Sequence, residues 1–186
     1  MPASWQNMPD WAGIVAYIGL PAVLKPHWGG GWKNVSVVHS LEELIRAYDR
    51  SGRLCLIVQE FIDWQIYVRC LCIGQTNILP IRYDPTRPHL ERYLVDAEAL
   101  PPDLHERVVG DAIKLNQALG YDMNTVKFAV CDGVPYAIDF MNSSPDFDVT
   151  SLRDHFPWVV NAMADLAIAR ATAPPAKALM RWDAFL

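Results

Sequence analysis

The chain has 186 residues, which fits one domain or two small lobes, and 52% of them are hydrophobic against 20% charged. This composition excludes a disordered chain and allows a sizeable core. The net charge of -5 argues against a nucleic-acid or anionic-membrane surface. No apolar stretch approaches the roughly 20 residues that a membrane span needs.

The cysteines and the N-terminus bear on the cellular compartment. Each of the four cysteines lies in an apolar run and none forms a C-x-x-C pair, which favours small core residues in a reducing cytosol over disulfides or zinc. The first eleven residues, MPASWQNMPDW, show neither the basic nor the hydrophobic region of a signal peptide. We therefore expect a cytoplasmic protein.

The first third of the chain predicts two helices and three strands. Asp10 is placed to cap a short helix, WAGIVAYIG, which ends at Gly19. Ser40 and Glu43 form an S-x-x-E capping box ahead of a second helix, LEELIRAYDR, with Gly52 as its stop. The expected strands are PAVLKP, NVSVVHS and LCLIVQEFI.

The remainder predicts further strands around one long helix. YVRCLCIG and NILPIRYDP are β-rich apolar runs, and DLHERVVGDAIKLNQALG is an amphipathic helix that stops at Gly120. NTVKFAV and VPYAIDF flank an Asp-Gly pair at 132–133, which signals a hairpin. A last helix, PWVVNAMADLAIARA, follows. Because hairpin-length links join most strands, we expect an α+β fold with mainly antiparallel sheets.

A glycine triplet, Gly29–Gly31, follows the strand that carries Lys25, and Lys33 lies just beyond it. Successive N–H groups in such a loop can bind an anion, and a lysine at the strand end adds a positive charge for phosphate oxygens. The alternative is an ordinary hairpin loop with Lys25 directed to solvent. The loop does not have the Walker A spacing, and no G-x-G-x-x-G motif is present.

Other polar residues stand beside or inside apolar strands. Gln59 and Glu60 follow a buried run and either face a cleft or simply end the strand in solvent. Arg69 and Arg82 lie within apolar strands, where a buried arginine must be paired in the core or must face a ligand.

Asp139 and Asn142 offer hard oxygens at the end of another strand, as Mg²⁺ prefers. The alternative for Asp139 is the cap of a turn.

Three stretches together resemble the ATP-grasp superfamily: PAVLKPHWGGGWKNV, LIVQEFIDWQIYVRCLCIG and GYDMNTVKFAVCDGVPYAIDFMNSSPD. The resemblance runs from Asp10 to Ala171. It implies two α+β lobes that enclose a nucleotide cleft, a small lobe at 10–62 and a large lobe at 63–172, followed by a C-terminal tail at 173–186.

The resemblance also implies roles for the candidate residues. Lys25 would contact the α- and β-phosphates of ATP, the Gly29–Gly31 loop would fold over them, and Lys33 would lie nearby. Adenine and ribose would bind at the end of the next strand, through Gln59, Glu60, the backbone around Ile62, and Asp63.

Members of this superfamily mostly use ATP to phosphorylate a carboxylate, and an amine then displaces the phosphate. The resemblance implies that Arg69 and Arg82 are catalytic cations at the phosphates and that Asp139 and Asn142 bind Mg²⁺. Phosphoryl transfer depends mainly on positioning and charge neutralisation, which suits these residue types. The expected partners are a small-molecule carboxylate and amine, with no nucleic acid and no membrane.

The sequence departs from the superfamily pattern at several points. Lys127 stands where an acidic magnesium ligand is common, Tyr67 stands where an acid would precede Arg69, and two residues separate Asp139 from Asn142. Only about ten residues precede the first family-like element. Three alternatives stay open: the chain is a fragment, a standalone unit or one part of a larger assembly. The expected partner in an assembly is a separate N-terminal domain or a second copy of the chain in a homo-oligomer. A nucleotide-binding module without catalysis and a kinase on the same scaffold are the alternatives to a ligase.

Overall fold

The structure, a computed structural model, describes residues 9–145 and 147–173. Its chain divides into two compact units between Asp63 and Trp64. The assignment of the predicted lobes, 10–62 and 63–172, to nucleotide and metal binding stays a prediction. Apart from Ala173, the predicted tail at 173–186 lies outside the described residues.

Unit 1, the part before this division, is a three-stranded antiparallel sheet with two helices. The strand order is β2-β1-β3, and both pairings are antiparallel. The elements in chain order are α1 (Trp11–Ile18), β1 (Ala22–Pro26), β2 (Ser36–Val38), α2 (Leu41–Arg50) and β3 (Leu56–Glu60).

Local capping sets where both helices begin. Asp10 Oδ1 accepts a hydrogen bond from Gly13 N at 2.9 Å, which confirms the predicted cap of α1. Ser40 Oγ accepts from Glu43 N at 3.2 Å, as predicted for α2. The Glu43 carboxylate accepts from His39 N at 2.7 Å, one residue earlier than a standard capping box would place it.

The core of unit 1 lies between the sheet and its two helices. Alternate residues of β1 point to the helices, so one face of the sheet is apolar and buried. This core consists of Ala22, Leu24, Val38, Leu44 and Ala47, with Trp11, Ile14, Val15, Ile18, Leu56 and Val58 packed around it.

Unit 2 is a four-stranded antiparallel sheet in the order β5-β4-β6-β7. Asp132 and Gly133 have φ angles of +50° and +76°, as a tight hairpin between β6 and β7 requires, so the predicted hairpin is confirmed. The elements are β4 (Ile66–Ile73), β5 (Asn77–Arg82), α3 (Pro102–Leu119), β6 (Met123–Cys131), β7 (Val134–Asp139), α4 (Val149–Leu152) and α5 (Phe156–Thr172), with short 3₁₀ turns at His89–Glu91 and Arg153–His155.

The even-numbered residues of β4 and β6 pack against α3. The resulting core contains Val68, Cys70, Cys72, Leu104, Val108, Ala112, Val126, Phe128 and Val130. The odd-numbered residues of the same strands therefore lie on the opposite face. The α+β fold with antiparallel sheets is confirmed, whereas the short helix α4 was not predicted. Within the described ranges, no helix combines the length and the apolar character needed to cross a bilayer.

Candidate functional site

Lys25 lies on the face of the unit 1 sheet that points away from α1 and α2. The register pairs Lys25 with Ile57 and pairs Val23 with both Val37 and Gln59, so these five residues share one face. Val37 and Ile57 are 37% and 38% exposed. This face therefore combines an ammonium group with an apolar surface, and the predicted residues Lys25 and Gln59 lie on it together.

The glycine loop joins β1 to β2 as an exposed hairpin connection. Gly29 and Gly31 have φ angles of +138° and +67°, which favour glycine. A Cβ built at Gly29, Gly30 or Gly31 would meet no protein atom within 4 Å. Lys33 N donates to Gly30 O at 3.4 Å. Backbone conformation, and not close packing against protein, therefore accounts for Gly29 and Gly31.

The other predicted nucleotide-binding residues lie at and beyond the end of β3. Glu60 pairs with Ala22, which places it on the opposite face of the sheet from Lys25. Ile62 and Asp63 follow the strand, and Asp63 is exposed. The structure brings Gln59 to the Lys25 face and does not bring Glu60 there.

Three charged residues form a row across the unit 2 sheet. Arg69 of β4 lies directly opposite Lys127 of β6, and Lys127 lies opposite Asp139 of β7. The Lys127 ammonium Nζ is 2.6 Å from Asp139 Oδ2, and the two side chains are 17% and 44% exposed. A buried-to-solvent gradient therefore runs along the row from the arginine to the carboxylate.

A β-bulge decides that Asp139 reaches Lys127. Phe128 pairs with Ala137, so regular pairing would place Ile138 opposite Lys127. The register shift between Lys127 and Phe128 places Asp139 there instead. Without the bulge, Asp139 would lie on the α3 face.

The two predicted catalytic arginines lie on opposite faces of the sheet. Arg82 pairs with Val68, whose side chain packs toward α3, whereas Arg69 pairs with Ile81 on the other face. Arg69 is 6% exposed, and its guanidinium carbon lies 5.5 and 5.2 Å from the ring centroids of Tyr83 and Tyr93. The register therefore does not bring Arg69 and Arg82 together.

Tyr67 occupies the same face as Arg69 and is buried. Burial raises the pKa of its hydroxyl well above the ordinary 10.0, and the nearby Asp139 carboxylate raises that pKa further. Tyr67 is therefore a neutral hydrogen-bonding group at neutral pH and adds no charge to the row.

Asn142 is held by hydrogen bonds to β6. Its backbone N donates to Asn124 Oδ1 at 2.9 Å, and its side-chain Nδ2 donates to Thr125 Oγ1 at 3.1 Å. Asn124 and Thr125 are both buried. The chain after β7 is thus fixed to the sheet, and the Asn142 amide is oriented.

These surroundings do not suit the predicted magnesium site at Asp139 and Asn142. The Lys127 ammonium already bonds the Asp139 carboxylate. Two unit charges 4 Å apart near a protein surface interact by about 4 kcal/mol, so a divalent ion sharing this carboxylate with Lys127 would meet roughly twice that repulsion before screening. Magnesium binding by these two residues stays a prediction that the ion pair argues against.

A polar cavity of about 420 Å³ lies in unit 2. Two arginines, Arg87 and Arg153, and two acids, Glu91 and Asp96, line it together with Tyr93. Such mixed charge can hold a small polar molecule that carries both an anionic and a cationic group.

Several of these groups were not predicted from the sequence. Tyr83 and Tyr93 form an isolated bridge that brings their rings to Arg69. Asn124 lies on the same buried face of β6 as Val126 and Phe128, two and four residues before them in the strand. A polar residue at an inward position of an alternating strand was the available signal for Asn124, whereas no local pattern marks the bridge.

Comparisons with known proteins place this geometry in context. No family model matches the chain. Mitochondrial pyruvate carboxylase of Rattus norvegicus is 31% identical over 128 residues, which is 60% of this chain and 11% of that protein. D-alanine–D-alanine ligase of Ralstonia nicotianae is 26% identical over 162 residues, 77% of this chain and 48% of that enzyme. The chain thus spans about a tenth of the first relative and about half of the second.

Solved structures show the same architecture. D-alanine–D-alanine ligase of Bacillus anthracis in complex with ATP matches 90% of this chain and 58% of its own, with a TM-score of 0.67 and 18% identity. A second match is the biotin carboxylase domain dimer of 2-oxoglutarate carboxylase from Hydrogenobacter thermophilus, in complex with MgADP, ADP and bicarbonate. The match covers 82% of this chain and 38% of that chain, with a TM-score of 0.59 and 22% identity. At these identities the likeness shows the fold.

Proposed function

The chain has the ATP-grasp fold, and from that premise we propose that it binds ATP and acts in an ATP-dependent ligase. The reaction we propose starts with attack of a substrate carboxylate oxygen on the γ-phosphorus of ATP. A new O–P bond forms, the bond to ADP breaks, and an acyl-phosphate results. An amine then attacks the acyl carbon, phosphate leaves with the electron pair of the C–O bond, and the amine loses a proton to give an amide.

The observation that carries the proposal is the composition of the Lys25 face. Val23, Val37 and Ile57 offer an apolar bed for a flat base, and Lys25 on the same face offers a cation for phosphate oxygens. The exposed Gly29–Gly31 segment lies in the connection from β1 to β2 and offers backbone N–H groups. We assign ATP binding in unit 1 to these residues, with Lys33 of the same loop and with Gln59, Glu60, Ile62 and Asp63 retained as proposed base and ribose contacts.

In unit 2 we assign the phosphate contact to the charged row. Lys127 and Arg69 are positioned by strands and not by loops, and cations fixed in advance stabilise transferred phosphoryl charge without reorganisation. Arg82 lies on the face of the unit 2 sheet opposite to Arg69. A role for Arg82 in the same step stays a prediction.

The polar cavity is the site that we propose for the carboxylate substrate. Arg87 and Arg153 can bind a carboxylate, and Glu91 and Asp96 can bind an ammonium group. An amino acid carries both groups, so we propose amino acids as the substrate class. D-alanine–D-alanine ligase, one of the relatives, is named for such a substrate.

A hydroxamate assay tests this function. The protein is incubated with ATP, MgCl₂ and hydroxylamine in the presence of a panel of amino acids and, separately, of simple carboxylic acids. We expect ADP release and hydroxamate formation with some amino acids, because hydroxylamine traps an acyl-phosphate. The absence of ADP release above background with every member of the panel would contradict a ligase.

One observation favours a second candidate, a nucleotide-binding module without catalysis. Lys127 neutralises Asp139, the predicted metal ligand. Such a module would bind ATP or ADP in calorimetry and release no ADP in the hydroxamate assay. A stable phosphoester found by mass spectrometry would instead indicate a kinase. The expected cytoplasmic location, and a separate N-terminal domain or a homo-oligomer, stay predictions.

A further inference from the structure

The charged row on unit 2 contains two cations and one carboxylate. Arg69 and Lys127 lie directly opposite each other on one face, and like charges in that arrangement repel. Asp139 lies on the other side of Lys127 and supplies one negative charge. Within the row, Lys127 is the cation that contacts the Asp139 carboxylate.

The Lys127 ammonium is fixed in position. Its side chain is only 17% exposed, and its Nζ lies 2.6 Å from Asp139 Oδ2. An ammonium group has three N–H donors, and the bond to Asp139 uses one of them. The donors beyond that bond are available to phosphate oxygens on the solvent side, where the Asp139 side chain is 44% exposed.

The bulge in β7 adds a second, independent observation. It turns Asp139 onto the Lys127 face, where regular pairing would place Ile138. The backbone register therefore places the two charged side chains opposite each other.

We propose that the Lys127 ammonium takes the place of a metal ion at Asp139, so that unit 2 binds the polyphosphate of ATP through a fixed cation and without a protein-bound metal at this carboxylate. This inference rests on the proposed function for its ligand. The exclusion of a metal from Asp139 does not depend on the proposed function, and it can be tested without nucleotide.

The first experiment uses Mn²⁺ alone, followed by electron paramagnetic resonance of the free ion, on the full chain. We expect the wild type to bind Mn²⁺ no better than Asp139→Asn. We expect Lys127→Glu to bind Mn²⁺ more tightly by roughly tenfold or more, because two carboxylates then face one position. Lys127→Glu combined with Asp139→Asn should lose this gain. Wild-type Mn²⁺ binding that disappears in Asp139→Asn, or no gain in Lys127→Glu, would overturn the inference.

The second experiment compares ATP affinity by calorimetry in EDTA and in excess MgCl₂. We expect the wild-type affinity to change by about threefold or less, and that of Lys127→Glu to fall by roughly tenfold or more in EDTA and to recover with Mg²⁺. Lys114→Glu is the matched control, since Lys114 is an exposed lysine of α3 that pairs with Asp111, and it should behave as the wild type. The inference would be overturned if EDTA lowered the ATP affinity of the wild type as much as it lowers that of Lys127→Glu.

The two experiments separate the inference from the proposed function. If no variant binds ATP, the proposed function fails, and the Mn²⁺ titration still decides whether Lys127 excludes a metal. Thermal unfolding checks that each variant is folded. If Lys127→Glu does not fold, Lys127→Gln replaces it, with a smaller expected gain in Mn²⁺ affinity because only the repulsion is removed.

Discussion

Asn142 is tied to Asn124 by a hydrogen bond of 2.9 Å from its backbone N to the side-chain Oδ1. Asn124 Nδ2 also donates to Asn116 Oδ1 and to Phe140 O, each at 2.9 Å. One fully buried side chain therefore joins β6, α3 and the segment after β7. This segment begins directly beyond Asp139, so Asn124 helps to position the end of the charged row.

Replacing Asn124 should be costly for this reason. Asn124→Ala would leave the buried Asn116 and the partly buried Phe140 and Asn142 without their bonds to it. We expect a loss of about 2–4 kcal/mol in the free energy of unfolding. Urea unfolding followed by circular dichroism measures the change. The control is Asn77→Ala, because Asn77 is exposed at the start of β5, and it should change stability by about 0.5 kcal/mol or less. Equal losses in both variants would contradict the role of Asn124.

Lys25 should matter for nucleotide binding more than for stability. Under the proposed function, Lys25→Ala removes a cation from the phosphates, and we expect ATP affinity to fall by about tenfold or more, since a charge-assisted bond contributes about 1.5–3 kcal/mol. Calorimetry measures the affinity, and the free energy of unfolding should change by about 1 kcal/mol or less. Arg53→Ala, which removes an exposed cation of unit 1 after α2, is the control. Unchanged ATP affinity in Lys25→Ala would remove this residue from the site.

The glycine loop allows a matched pair of substitutions. A Cβ at Gly30 or at Gly31 would meet open space, and only Gly31 of the two has a φ in the left-handed range, at +67°. Gly31→Ala should therefore lower the free energy of unfolding by about 1–2 kcal/mol, whereas Gly30→Ala should be close to neutral. Urea unfolding of the two variants measures the difference. Equal stabilities would mean that the loop relaxes and that the backbone conformation is not required.

Acid should destabilise the protein partly through Asp84. The Thr86 hydroxyl donates to Asp84 Oδ1 at 2.6 Å, and this bond, with help from Thr86 N and Arg87, holds the pKa of the carboxyl below its ordinary 3.8. A lowered pKa in the folded state contributes stability that is present above the unfolded pKa and is lost as pH falls through the folded pKa. Asp84→Asn removes this dependence, since the amide does not titrate.

We therefore expect the wild type to be more stable than Asp84→Asn at about pH 7 and to lose this advantage below the ordinary pKa. Urea unfolding of both proteins from about pH 7 to about pH 2 measures the difference. Glu98→Gln is the control, because Glu98 is an exposed acid elsewhere in unit 2. A constant difference between wild type and Asp84→Asn over this range would contradict the prediction.

Much of the fold could be predicted because short-range chemistry specifies it. Asp10 and Ser40 mark helix starts with side-chain caps, and Gly120 ends α3 in the left-handed conformation. The Asp132–Gly133 pair sets the hairpin between β6 and β7. Each of these signals acts within about four residues, so it survives without knowledge of the tertiary structure.

The site could be predicted only in part, because strand faces depend on register. Strand alternation places Lys25 on the same face of β1 as Val23. The pairing with β3 brings Gln59 to this face and places Glu60 on the opposite face. The same rule separates Arg69 from Arg82, although both lie in apolar runs and are both expected to face phosphate. A shift by one residue exchanges the two faces of a strand, and no local pattern fixes such a shift.

By itself, the sequence determined the longer helices, the strands, their mainly antiparallel pairing and the residue types available for phosphate chemistry, because capping, turn formation and apolar periodicity act between near neighbours. The tertiary structure alone decided which of those residues meet. A bulge at Ile138 places Asp139 beside Lys127, and a bridge between Tyr83 and Tyr93 holds their rings over Arg69. Both depend on the register of backbone pairing, of Lys127 with Asp139 and of Tyr83 with Tyr93, and this register lies beyond the reach of signals that act between near neighbours.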